Sequence, residues 1–343
     1  MIDNISICLK NFEGVEDNFK NCDYQGMSYK TKVYRLYNHE GKDKKIYLLV
    51  KYNKEKKTLS IDNSIRKWLL GGFFLLDLTE KRANDAFERL AYLLNISISD
   101  LYEANFTNCE LGLTLNLRIP MEQLEPLIVR YSTYKRYCYE GKTVGFLGVD
   151  RELKIYDKYQ ELVDKNRTYD KLAKRNTLNA FKRQNYRFVR AELTMIDNQS
   201  FINSHLGCIR NIGDLLRHYQ YLYYFWANEL SKVFLVNKLV MNKSMTSRQY
   251  MIARVLENEG YSSFKINCLE RSRGKEKGCL QDDLEKVVNV YGDKRVYNTE
   301  TFRADIYRNL ERIKDKGENI DMEELKKILY DETDFRDAFI NRK

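Results

Sequence analysis

Apolar and polar positions alternate most regularly over Glu110–Ile119, ELGLTLNLRI. Leu111, Leu113, Leu115, Leu117 and Ile119 fall on one side, and Glu110, Gly112, Thr114, Asn116 and Arg118 on the other. That is the period of a strand with one face in the core. Ile5–Lys10, Lys32–Tyr37, Lys45–Tyr52, Tyr131–Tyr139, Val144–Val149, Leu153–Lys158 and Arg187–Thr194 predict further strands. Helical spacing takes over in Thr79–Asn95, where Ala83, Ala86, Phe87, Leu90 and Leu94 repeat, and around Met121, Leu124, Leu127 and Ile128. After Thr194 helices dominate. A long pattern covers Ile212–Lys238, a second runs through Met251, Ile252, Val255 and Leu256 with Gly260 placed to end it, and a third through Phe302, Ile306, Leu310 and Ile313. Asp321 with Glu324 opens a fourth as a capping box. The pattern predicts an α+β chain: an antiparallel sheet flanked by helices over 1–242 and a mostly helical region over 243–343. The boundary falls near Asn242–Thr246. The charged stretch Asp164–Arg175 reads as an insertion, and Arg271–Lys277 (RSRGKEK) as a basic loop.

A length of 343 residues suits one large domain or two ordinary ones. Lys and Arg number 59 against 49 Asp and Glu, a formal charge of +10, so the expected partner is a polyanion. Nucleic acid comes first and an acidic membrane surface second. The longest apolar run, Trp68–Leu78, contains two glycines and an Asp and is too short to span a bilayer, so no membrane partner is expected. The seven cysteines are irregularly spaced without C-x-x-C, and Met1–Glu16 carries charges throughout. Reduced thiols in a cytoplasm are the reading.

Candidate chemistry lies on the polar strand faces. Glu110 opens one, and Gly112 beside it is expected to leave room for a ligand. In LKIYDK, Lys154, Tyr156 and Lys158 share a face, while Asp157 on the apolar side needs a partner or a metal unless it simply ends the strand. In RFVRAELT, Arg190 and Glu192 share a face and could be a plain ion pair. Two strands each presenting a glutamate, with Lys158 nearby, point to a divalent metal for phosphoryl chemistry. HYQYLYYFW, His218–Trp226, packs four tyrosines into six residues, mostly as core, with one phenol a candidate nucleophile. A helix turns its apolar stripe to the sheet that bears the acids, which ranks Tyr223 first, then Tyr224 and Tyr219, with Tyr221 last. His39, His205 and His218 form no H-x-H or H-x-x-R, and no G-x-x-x-x-G-K-[ST] loop is present.

The order of these pieces resembles a known family. A strand like ELGLTLNL, a strand ending IYDK, a strand RAEL and a tyrosine-rich helix are similar to rolling-circle replication initiators of the Rep-trans type and the related gene II/X phage and plasmid replication proteins. The similarity spans roughly Met1 to Asn242. It is sharpest at Lys154–Lys158 and at Arg190-Ala191-Glu192-Leu193, about thirty residues on. The resemblance implies an HUH-like antiparallel sheet in which acidic side chains replace the paired histidines. It implies Mg²⁺ or Mn²⁺ held by Glu110 and Glu192, with Asp157 a further candidate. Lys158 and Arg190 would neutralise phosphate charge, and a tyrosine would form a 5′-phosphotyrosine. Origin DNA, duplex and single strand, and a host helicase are the implied partners, and an oligomer such as a dimer is compatible. Arg118, Arg271, Arg273, Lys275 and Lys277 are further DNA-contact candidates. A mobilisation relaxase would share this chemistry. A non-enzymatic plasmid- or phage-encoded DNA-binding regulator is the alternative.

Overall fold

The computed structural model describes residues 1–343 other than 39–45, 72–74, 140–141, 165–178, 180–181, 184–186, 205, 237–238, 240–243, 265–267, 270, 293–296 and 331–343. Its strands are β1 (Ile2–Lys10), β2 (Cys22–Ser28), β3 (Thr31–Leu36), β4 (Leu48–Asn53), β5 (Thr58–Asp62), β6 (Asn105–Asn116), β7 (Ile128–Tyr131), β8 (Lys135–Tyr139), β9 (Thr143–Leu147), β10 (Arg151–Asp157), β11 (Phe188–Met195) and β12 (Val233–Leu235). Ten of them form one antiparallel sheet in the order β2-β3-β4-β5-β1-β6-β11-β10-β9-β8, while β12 pairs with β7. With its helices the chain is α+β, as the sequence pattern predicts.

Strand periodicity gives the sheet two unlike faces. Leu111, Leu113 and Leu115 of β6, Val189, Ala191 and Leu193 of β11, and Leu153 and Ile155 of β10 are all buried on one of them. The helix Tyr219–Ser231 joins that core through Leu222, Phe225, Trp226 and Leu230, and Trp226 Nε1 donates to the Ala191 carbonyl at 3.3 Å. The opposite face carries the polar side chains.

β6 outruns its neighbour β1. Gly112 N–H donates to the Met1 carbonyl at 2.8 Å, and beyond that point the outward amides of β6 have no strand to meet. Side chains accept them instead, Asp77 from Thr114 at 2.9 Å and Asn309 from Asn116 at 2.9 Å, and just past the strand Asp305 accepts from Arg118 at 2.8 Å. Edge amides left unpaired inside a protein are costly, so these contacts tie the helix Thr299–Lys314 to the sheet.

The main core runs across the expected division at 242/243. Residues 240–243 lie outside the described residues, and the region beyond them is helical, but the core does not divide there. Phe302, Ile306, Leu310, Leu325 and Ile328 belong to the same core as the sheet. A second, smaller core joins the helices Ser247–Phe264 and Gly274–Tyr291 through Ile252, Leu256, Leu284 and Val287, seated on Val129 of β7 and Phe234 of β12.

Other expectations shift locally. The expected helix Ile212–Lys238 breaks at His218 (φ −105°, ψ 24°) into Ile212–Arg217 and Tyr219–Ser231, then continues as β12. Tyr131–Tyr139 is two strands parted by a turn at Ser132, whose φ is 48°. Gly260 ends nothing, since its helix runs to Phe264. Lys275 and Lys277 lie in the first turn of a helix rather than in a loop. Most of Asp164–Arg175 lies outside the described residues.

Candidate metal centre

β1 is irregular where it crosses β6. Ile2 pairs with Leu111 and Ile5 with Cys109, so Asp3 and Asn4 together face the single residue Glu110. This β-bulge keeps both isoleucines in the core and turns Asp3 onto the polar face. Asp3, Glu110 and Glu192 then offer carboxylate oxygens within 4.8 Å of one another. Of the three, the sequence reading held Glu110 and Glu192 and missed Asp3. The only local signal for Asp3 is the three-residue step from Ile2 to Ile5 in a strand that otherwise alternates by two.

Each acid is held by neighbours. Asp3 accepts from Ser64 Oγ, from Arg66 Nε at 2.8 Å and from Arg190 Nη2 at 2.5 Å. Glu110 accepts from Asn4 Nδ2 at 3.0 Å. Glu192 accepts from Arg190 Nε at 2.6 Å and from the Tyr156 hydroxyl at 2.8 Å. Arg190 is fully buried and also reaches Asp77 at 2.6 Å.

The charges do not balance. Burial, which would raise Asp3, is outweighed by Arg66 and Arg190, and its carboxyl stays well below the usual range. Glu110 goes the other way: burial first, then the Glu192 and Asp3 charges, push it up to about 8. Four acids (Asp3, Asp77, Glu110 and Glu192) face two guanidiniums (Arg66 and Arg190) and the Lys67 ammonium. A divalent cation fits that excess, and an all-oxygen donor set suits Mg²⁺ or Mn²⁺.

Several sequence assignments change. Arg190, expected to meet phosphate, is spent on carboxylates here, with Asp3, Asp77 and Glu192 all within 2.6 Å. Asp157 is not among the clustered acids: its Oδ1 accepts the amides of Tyr159 at 2.7 Å and Gln160 at 3.1 Å, stopping β10 and starting the helix Lys158–Asp164. Lys158 opens that helix. It is fully buried, with Nζ 2.6 Å from Glu161 Oε2 and 5.6 Å from the Tyr156 ring centre, and burial lowers its pKa to about 7. Arg118 lies away from the acids, 3.1 Å from Asp305. Arg271, Arg273, Lys275 and Lys277 are exposed on the smaller helical module, and the structure does not bring them to the acids.

The ranked tyrosines are not at the acids either. Tyr219 donates to the Leu78 carbonyl at 2.8 Å, Tyr223 to Glu318 at 2.8 Å, and Tyr224 accepts from the Asp321 amide at 2.7 Å. Tyr221 packs edge-on against Tyr224, 6.2 Å between ring centres. Their helix covers the apolar face, whereas Glu110 and Glu192 leave the sheet on the other. The phenol that does reach the acids is Tyr156, which pairs with Arg190 across β10 and β11. Burial, then Glu192, raise its pKa well above the ordinary value.

Gly112 leaves no room for a ligand. A Cβ there would lie 2.8 Å from Arg190 Nη2 and 2.9 Å from Glu192 Cγ, so the missing side chain is what admits these two. Gly112→Ala is expected to destabilise the fold by ~1–3 kcal/mol, read from denaturant midpoints.

A second expected result follows from Glu110. The folded, metal-free chain keeps its proton up to about pH 8, whereas an unfolded chain releases it near ~4.3. Stability therefore falls as pH rises through that window. Lys158, with its lowered pKa, slopes the other way above about pH 7. The comparison with Glu110→Gln isolates the acid: the wild-type Tm minus the variant Tm should fall between pH 6 and pH 8. Mn²⁺ should raise the wild-type Tm more at pH 8 than at pH 6, because at pH 8 less proton must be displaced.

A cleft of about 1440 Å³ lies elsewhere, against Phe19, Tyr24, Tyr34 and Tyr52. Its four lysines are nearly balanced by Glu16, Asp17 and Glu55, which gives it little pull on an anion. Among the described residues no helix is long and apolar enough to cross a membrane. All seven cysteines are free. No protein-family model matches the chain, and no curated protein matches it.

Proposed function

We propose that the chain is a metal-dependent DNA nickase and strand transferase that initiates rolling-circle replication on an HUH-like sheet. The observation that carries this reading is the Tyr156 hydroxyl 2.8 Å from Glu192 within the Asp3–Glu110–Glu192 cluster. A nucleophile hydrogen-bonded to a carboxylate that can take its proton is the arrangement covalent catalysis needs. Tyr156 gives its proton to Glu192, and its oxygen attacks the phosphorus of a phosphodiester. The bond from phosphorus to the 3′-oxygen breaks, that oxygen takes a proton from water and leaves as a 3′-hydroxyl, and Glu192 releases the tyrosine's proton to solvent. The 5′-phosphate stays on Tyr156, and the stored bond permits strand closure by reversal. Lys158 in its charged form steadies the phenolate. A divalent metal held by Asp3, Glu110 and Glu192 would polarise a non-bridging phosphate oxygen. Arg190 fixes the spacing of the acids.

The four exposed cations at the start of Gly274–Tyr291 support duplex binding and fit equally the reading of the chain as a DNA-binding regulator. The test is incubation with supercoiled DNA carrying candidate origins, with and without Mn²⁺. Relaxed circles with covalently attached protein are the expected result, and Glu192→Gln should cut nicking by at least ~10²-fold. A mobility shift with no nicking under any metal favours the regulator.

A further inference from the structure

The face that holds Tyr156 continues past it to the edge of the sheet. The register places Gly112, Glu192, Lys154, Gly145 and Tyr137 side by side on five strands. The neighbouring row is Thr114, Arg190, Tyr156, Thr143 and Tyr139. Directly paired residues of antiparallel strands point to the same face. Tyr137 and Tyr139 therefore stand on the same face as the acids, two strands from Tyr156. At a strand spacing of ~4.8 Å that is roughly 10 Å.

The two rings are held differently. Tyr137 lies flat on Gly145, where a Cβ would come within 2.1 Å of the ring, and its hydroxyl donates to Glu152. Tyr139 is 65% exposed, its ring edge-on to Tyr137 with centres 5.8 Å apart. A glycine has made space for one aromatic, which in turn braces a second in the open. Lys135 shares their face, and Lys154 lies between them and Glu192. On that face Glu152 is occupied by Tyr137 and by Lys154 Nζ at 2.7 Å.

We infer that Tyr137 and Tyr139, flanked by Lys135 and Lys154, form a stacking platform for the bases of a single DNA strand whose backbone runs toward Tyr156. The inference rests on the nickase reading, to which it adds the surface that holds the strand. An exposed braced ring offers its flat face to any base, and lysines beside it meet the backbone. A duplex keeps its bases stacked on one another and has none to give, so the occupant is a single strand.

The test uses the full chain in EDTA, which prevents cleavage, and a dT12 oligonucleotide with one 2-aminopurine. Anisotropy reads binding and 2-aminopurine quenching reads stacking. Tyr139→Ala should weaken binding about tenfold and abolish the quenching, while Tyr139→Phe, which keeps the ring, should retain both. Lys135→Gln should lower the salt slope of binding by about one counterion. The platform is overturned if Tyr139→Ala binds and quenches as wild type does, or if wild type does not bind dT12. Normal nicking by wild type alongside either result removes the platform and leaves the nickase. Tyr139-dependent binding with no nicking under any metal keeps the platform and removes the nickase.

Discussion

Tyr156→Phe should abolish the covalent protein–DNA adduct and lower nicking by ~10⁴-fold or more, with no loss of fold. The change removes one oxygen. The ring stays on β10, and the lost hydrogen bond is the one from its hydroxyl to Glu192. Tyr219, Tyr223 and Tyr224 bond elsewhere and do not take over the attack, and losing the nucleophile has effects of this order. Single-strand binding in EDTA should be nearly unchanged, which separates chemistry from affinity. The controls are Tyr223→Phe, Tyr224→Phe and Tyr219→Phe. Their hydroxyls serve Glu318, the Asp321 amide and the Leu78 carbonyl, so these variants should lose a little stability and keep the adduct. Mass spectrometry of the trapped peptide should place the phosphodiester on Tyr156. An adduct on the helix Tyr219–Ser231 would reverse the assignment.

The contrast between these tyrosines shows where sequence reading stops. Alternation in ELGLTLNLRI placed Glu110 opposite the leucines, and the same logic in RFVRAELT placed Glu192 opposite Val189, Ala191 and Leu193. Both hold because a strand's period is local. Which face a helix covers is not local. The aromatic helix was expected to deliver a phenol to the acids because it packs on their sheet, yet an apolar stripe packs on the apolar face, and acids on alternate positions necessarily point away from it. Tyr156 was already in register with Lys154 on the polar side, and only the pairing with Arg190 reveals its neighbour. Asp3 was hidden by a bulge, which shifts the alternation that would have exposed it. Asp157 and Gly112 were read for chemistry and turn out to serve geometry, one stopping a strand and the other admitting Arg190. The edge of β6 explains why the C-terminal helices join the main core: its unpaired amides need Asn309 and Asp305, a requirement no composition boundary near Asn242 signals.

Arg190→Gln should destabilise the chain by ~3–5 kcal/mol, a cost typical of leaving buried charges uncompensated. The guanidinium has no solvent exposure and spans Asp3 at 2.5 Å, Asp77 at 2.6 Å and Glu192 at 2.6 Å. Its removal leaves Arg66, with Lys67 beside Asp3, to face the clustered acids. Against a total of ~5–15 kcal/mol the loss is large, and a Tm lower by ~10 °C or failure to accumulate folded protein is expected. Arg190→Lys should recover little, since one ammonium cannot reproduce a planar fork reaching three carboxylates. Mn²⁺ should raise the Tm of Arg190→Gln by more degrees than it raises that of wild type, because the metal then meets a larger uncompensated charge. A phosphate-contact role predicts a different result: unchanged thermal stability, weaker DNA binding and a salt slope smaller by about one. Thermal melts with and without Mn²⁺, set beside salt titrations of DNA binding, distinguish the two, and an unshifted melt would return Arg190 to the DNA.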